Sequence, residues 1–141
     1  MQGREPMVDI KGVAHFTIPV SNMERSKRFY TEIVGMKHLA TVPNGRMAFF
    51  DAGGTCIILV KREAPIHRQQ EGSDGVHHAF IVDKDNYRAA LEHVRANGVD
   101  IFFEEDRQAG VLNGPRAYFR DPDGTCLEYI VLTSYTGAQK D

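Results

Sequence analysis

One pattern in this chain is written twice. His15-Phe16-Thr17-Ile18-Pro19-Val20-Ser21 lies over His77-His78-Ala79-Phe80-Ile81-Val82-Asp83, and Gly54-Thr55-Cys56-Ile57-Ile58-Leu59-Val60 lies over Gly124-Thr125-Cys126-Leu127-Glu128-Tyr129-Ile130. An internal repeat constrains a fold more tightly than any single motif, because each copy must form the same unit and the units stack to bury a core. The order of elements can be read in both copies. Strand alternation over residues 12–20 puts Phe16, Ile18 and Val20 on one face and His15, Thr17 and Pro19 on the other. A helix is expected over residues 23–34, capped by Ser21 or Asn22, with Met23, Phe29, Tyr30, Ile33 and Val34 on one stripe and Gly35 as its stop. Strands are expected at about 36–43, 46–52 and 55–61, divided by Pro43-Asn44-Gly45 and Gly53-Gly54. After a polar linker from Glu63 to Gly75 the order restarts: strand 76–82, helix 84–97, then strands at about 100–104, 115–120 and 125–132. The predicted class is α+β, two tandem βαβββ modules at about 12–62 and about 76–133 in one domain over 12–135. Residues 1–11 read as a lead-in and 136–141 as a tail.

Composition excludes several classes of partner. A length of 141 residues suits one ordinary domain, and a net charge of -2 with no Lys/Arg run leaves no electrostatic footprint for nucleic acid. Apolar runs such as Cys56-Ile57-Ile58-Leu59-Val60 are strand-length, far short of the roughly 20 residues of a membrane span. No apolar segment follows the first residues, so a cytoplasmic protein is expected. Cys56 and Cys126 sit at equivalent repeat positions and read as free thiols rather than a disulfide.

The chemistry gathers on one face of the repeated strands. In Tyr118-Phe119-Arg120-Asp121-Pro122-Asp123-Gly124-Thr125-Cys126-Leu127-Glu128, the Asp-Pro-Asp-Gly corner predicts a tight turn whose Asp side chains bond its backbone. The returning strand then puts Glu128 amid apolar neighbours, where a carboxylate is costly unless something binds it. The repeat supplies candidates, since His15 and His77 begin equivalent strands and Glu128 stands where the first copy has Ile58. Two imidazoles and a carboxylate make a facial metal triad that suits Fe(II), Mn(II), Zn(II), Ni(II) or Co(II) and leaves positions open for substrate. His77 and His78 point to opposite faces, so only one can join; the repeat selects His77 and pairs His78 with Phe16 against a helix. Tyr118 is a candidate hydrogen-bond donor or general acid, with simple packing as the alternative. Thr17, His67, Asn113 and Arg116 are candidate substrate contacts. Thr17 shares the face of His15, His67 lies in the linker, and Asn113 and Arg116, with Arg107, lie in or beside a long loop.

These residues carry a resemblance to a known family. His15-Phe16-Thr17-Ile18-Pro19-Val20, the helix from Met23 to Tyr30 ending at Val34-Gly35-Met36, His77-His78-Ala79-Phe80, and Tyr118 to Gly124 with Glu128 resemble the vicinal oxygen chelate superfamily from about Val13 to Leu132. That superfamily contains glyoxalase I, fosfomycin and bleomycin resistance proteins and extradiol dioxygenases. The resemblance implies a cup-shaped, partly closed mixed sheet around one divalent metal, with His15, His77 and Glu128 as ligands and Fe(II) or Mn(II) favoured. It implies a small-molecule substrate and a homodimer in which each cup draws strands from one chain or from both. Ile58 stands where glyoxalase I carries a fourth ligand, which argues against glyoxalase chemistry proper. The first reading is an extradiol-dioxygenase-like oxidoreductase acting on a catecholic substrate, because Tyr118-x-x-Asp121-Pro122-x-Gly124-x-x-x-Glu128 is similar to part of that group's motif, although Val111-Leu112-Asn113 offers no histidine upstream. The alternative is a Lewis-acid lyase or transferase like the fosfomycin resistance proteins, although Thr133-Ser134-Tyr135-Thr136-Gly137 carries no arginine after the last strand. A binding module without turnover is the third.

Overall fold

The architecture is a computed structural model that describes residues 7–63 and 75–136. His67 lies outside the described residues. The first module runs β1 (His15–Val20), α1 (Met23–Arg28), β2 (Lys37–Thr41), β3 (Met47–Ala52) and β4 (Thr55–Lys61). The second runs β5 (His77–Ile81), α2 (Lys84–Ala96), β6 (Phe103–Arg107), β7 (Leu112–Arg120) and β8 (Cys126–Ile130), and a short β9 (Ser134–Tyr135) adds to β7. The predicted α+β repeat is what the chain forms. No helix among the described residues is long and apolar enough to cross a membrane.

Asn22, one of the two expected caps, starts α1 by accepting the Arg25 N–H at 3.0 Å. The helix departs from expectation at its second half, where Phe29–Val34 winds as a π-helical turn before Gly35 stops it at φ 98°. Thr31 explains part of this: its hydroxyl donates at 2.8 Å to the Lys27 carbonyl, the acceptor that its own N–H would use in an α-helix. The wider turn buries Phe29 and Tyr30 side by side, edge to face at 5.3 Å.

Each module makes its own mixed sheet, in the order β1-β4-β3-β2 and β5-β8-β7-β6. The pairs β1/β4 and β5/β8 are parallel, because the helix carries the chain across the sheet; the other pairs in each sheet are antiparallel. Register repeats residue for residue. His15 faces Cys56 as His77 faces Cys126, Thr17 faces Ile58 as Ala79 faces Glu128, and Phe49 faces Ile58 as Tyr118 faces Glu128.

One core joins the modules. Ile18, Val20, Tyr30, Phe50 and Leu59 of the first pack in the same cluster as Leu91, Val94, Phe119, Leu127 and Tyr129 of the second. Polar ties cross the seam beside it. Tyr30 donates to Asp121 at 2.5 Å, Ser21 donates through hydroxyl and backbone to Asp123, and Tyr129 donates to the Val34 carbonyl at 2.8 Å. Asp121 also accepts the Asp123 and Thr125 N–H groups at 2.9 and 2.8 Å, so the Asp-Pro-Asp-Gly corner both closes its turn and anchors the first module's helix. Cys56 and Cys126 are free thiols.

Candidate metal centre

Glu128 sits at the middle of β8, where all five residues are buried, and is itself 3% exposed. Alternation gives it a face shared with Cys126 and Ile130, and register extends that face to His77 and Ala79 on β5 and to Tyr118 and Arg116 on β7. The partner expected for this carboxylate is present: His77 Nε2 stands 3.2 Å from Glu128 Oε1. The histidine's ring packs edge-on to Tyr118 at 5.4 Å between centroids. Burial and the facing Glu128 carboxylate push the Tyr118 hydroxyl above its ordinary pKa, partly offset by the Arg116 cation, so it is a proton donor throughout the neutral range.

The donor set fits a divalent ion. Imidazole nitrogen and carboxylate oxygen are ligands for Mn, Fe, Zn, Ni and Co, and adjacent donors around such an ion at about 2.1 Å stand roughly 3 Å apart, close to the separation seen here. The buried carboxylate on an apolar strand also needs cationic company, and the Arg116 guanidinium stands 3.7 Å from it.

His15 is not part of this pair. It begins β1 on the exposed face of the first sheet, opposite Cys56, and Thr17 follows on that face opposite Ile58. Among the described residues no group of three or more His, Cys, Asp and Glu is placed to hold a metal ion. One chain thus brings together two of the three expected ligands. His78 turns the other way, its ring 5.5 Å from that of Phe16, the residue it matches in the repeat.

The remaining candidates divide by what their side chains touch. Asn113 spends its amide on the loop itself, accepting the Gly110 N–H at 2.7 Å and donating to the Gly110 carbonyl and the Ser134 hydroxyl. Arg107 donates to Glu105 at 2.9 Å. Arg116, expected as a loop-side pocket wall, is instead 3% exposed, with Nη1 3.7 Å from Glu128 Oε2. Sequence reasoning missed that contact. The signal was available, since Arg116 and Tyr118 both fall in the strand expected at about 115–120 and alternation puts them on one face; β7 itself begins earlier, at Leu112.

Comparison with known proteins follows the same outline. A model of the Glyoxalase/Bleomycin resistance protein/Dioxygenase superfamily matches residues 12–129. The metallothiol transferase FosB of Shouchella clausii is 31% identical over 119 residues, covering 84% of this chain and 79% of that protein. The glutathione transferase FosA of Serratia marcescens is 28% identical over 122 residues, covering 86% and 82%. In three dimensions, the fosfomycin resistance protein FosX of Listeria monocytogenes, solved with Mn(II) and dihydroxypropylphosphonic acid, superposes with a TM-score of 0.71 at 22% identity, covering 89% of this chain and 93% of that one. That likeness is one of fold. The two curated relatives are named as transferases, and side with the transferase expectation over the dioxygenase one.

Proposed function

The chain belongs to the Glyoxalase/Bleomycin resistance protein/Dioxygenase superfamily, and from that premise we propose that it is a divalent-metal-dependent transferase or lyase acting on a small electrophilic substrate in the manner of the fosfomycin-modifying relatives. The observation that carries the reading is the pairing of exposed His77 with buried Glu128 at 3.2 Å on one face of β5 and β8. A divalent ion bound there, with Mn(II) first among Mn(II), Fe(II), Zn(II), Ni(II) and Co(II), supplies Lewis-acid polarisation of a substrate oxygen. His77 and Glu128 would hold the ion. Tyr118 donates a hydrogen bond to the oxygen on which negative charge develops, a role that suits a hydroxyl whose own ionisation is suppressed.

The third ligand, His15, comes from a second copy of the chain. Its exposure at the start of β1, and the exposed apolar residues Ile81 and Phe103 on the His77–Tyr118 face, fit a homodimer in which the first sheet of one copy covers the second sheet of the other. Each cup then holds His15 and Thr17 from one copy and His77, Tyr118 and Glu128 from its partner.

The test is turnover of fosfomycin by the Mn(II)-loaded protein, with glutathione, cysteine or water as the nucleophile, followed by phosphorus NMR. Conversion that requires metal is expected, with catechols left intact. Ring cleavage of catechols under Fe(II), with fosfomycin untouched, contradicts the proposal.

A further inference from the structure

We propose that the cleft where α1 meets the β7–β8 corner and the loop after α2 is a second ligand site, one that takes a short peptide zwitterion. The cleft measures about 580 Å³, and none of His15, His77, Tyr118 and Glu128 lines it. It lies on the other side of the sheet. α1 and its π-helical turn pack Phe29 and Tyr30 with Phe119, Leu127 and Tyr129, which alternate with Tyr118 and Glu128 and so face away from them. Charge is divided along the cleft. At one end, Arg25 reaches Asp123 at 3.3 Å and the Ser21 hydroxyl at 3.1 Å, which seats the corner against the first turn of α1. Arg120, at the foot of the corner, stacks on Phe102 at 3.9 Å, and Arg28 follows Arg25 one helical turn on. At the other end, His93 donates at 2.6 Å to the Glu32 carbonyl, which seats the end of α2 against the π-helical turn. Glu32 lines that end, and Asp100 lines the loop leading from it; both are exposed. Phe29, Ile33 and Val99 supply apolar lining.

The helix does not cancel this division within itself. Arg28 and Glu32 are four positions apart, a pairing distance in an α-helix, but the chain turns π-helical between them and they form no ion pair; α1 pairs Lys27 with Glu24 instead, at 3.6 Å. A ligand that satisfies both ends therefore carries an anion and a cation. Arg25 and Glu32 are seven positions apart, about 10 Å along a helix axis. An extended peptide covers about 3.5 Å per residue, so roughly two or three residues span that gap. Its carboxylate falls among the guanidiniums, whose planar forks suit two oxygens, and its ammonium falls at Glu32. Such a ligand touches both modules, so its binding ties α1 to the second module and raises the melting temperature.

The experiment uses the full chain and two readouts, calorimetric titration and melting temperature. Leucyl-leucine is the probe, beside its N-acetyl form, which lacks the cation, and its amide, which lacks the anion. Saturable binding of the free dipeptide with a raised melting temperature is expected, and each capped form should bind about 10-fold more weakly or worse, the loss of one charge-assisted contact. Arg28→Gln and Glu32→Gln alter exposed side chains and leave the core intact. Each is expected to weaken the free dipeptide about 10-fold. Arg28→Gln should also narrow the gap between the dipeptide and its amide, and Glu32→Gln the gap between the dipeptide and its N-acetyl form. Equal affinity for all three compounds, or variants that bind as wild type does, overturns the assignment, and so does an absence of saturable heat at millimolar dipeptide. An N-acetyl form that binds as tightly as the free dipeptide marks a plain anion site and equally overturns the zwitterion.

Discussion

Ile58 and Glu128 occupy one position in two copies of one motif. Ile58 lies opposite Thr17 and Phe49, and Glu128 opposite Ala79 and Tyr118. The backbone solution is the same, so the difference between an apolar sheet face and a candidate metal centre is carried by side chains alone. In the second copy a carboxylate, a phenol and a buried guanidinium replace an aliphatic residue, a Phe and a Met47 row. Tyr118→Phe removes a hydroxyl and little else. It is expected to lower kcat about 100-fold with Mn(II) stoichiometry and melting temperature held, as for loss of one oxyanion donor. An unchanged kcat in steady-state assays would leave Tyr118 as a packing residue, the alternative that the sequence allowed.

The hairpin between β7 and β8 shows what an element contributes beyond its length. Asp121 accepts three hydrogen bonds at 5% exposure, two from its own turn and one from Tyr30 of the other module. Asp121→Ala removes the acceptor of the Tyr30 hydroxyl and of two turn N–H groups, and is expected to cost about 3 kcal/mol in urea unfolding. Asp121→Asn keeps the oxygen that accepts both turn N–H groups, and should cost far less. Burial raises the Asp121 carboxyl above its ordinary 3.8, against the opposing pull of its hydrogen bonds. The unfolded chain therefore loses this proton first, the folded state binds more protons in the window just above 3.8, and stability falls as pH rises through it. Melting curves at a series of acid pH values should show that slope in wild type and lose it in Asp121→Asn. The turn, its glycine at φ 87° and the face of Glu128 were legible because local chemistry dictates them. Tyr30 as the partner of Asp121, 91 positions away, was not, because only tertiary packing brings them together. The π-helical turn escaped for a related reason, since its apolar stripe is compatible with an ordinary α-helix and Thr31 gives no periodic signal.

At the scale of the whole molecule, the repeat made the fold readable and left the site half written. The repeat singled out His15 and His77 as candidate ligands, and the register upholds their equivalence. It could not say which chain supplies each, because strand sequence encodes a face and not the partner that covers it. A single copy brings His77 to Glu128 and leaves His15 on an exposed face elsewhere. A metal centre shared between two copies is tested with mixed dimers of His15→Ala and Glu128→Gln chains, purified through two different affinity tags. Each parent dimer lacks a ligand in both cups and should lose tight Mn(II) uptake. In the mixed dimer the two defects fall in the same cup, the other cup is intact, and half the wild-type Mn(II) content and activity should return. A mixed dimer as empty as its parents, beside a wild type that binds the ion, would contradict the account by placing all three ligands within one chain.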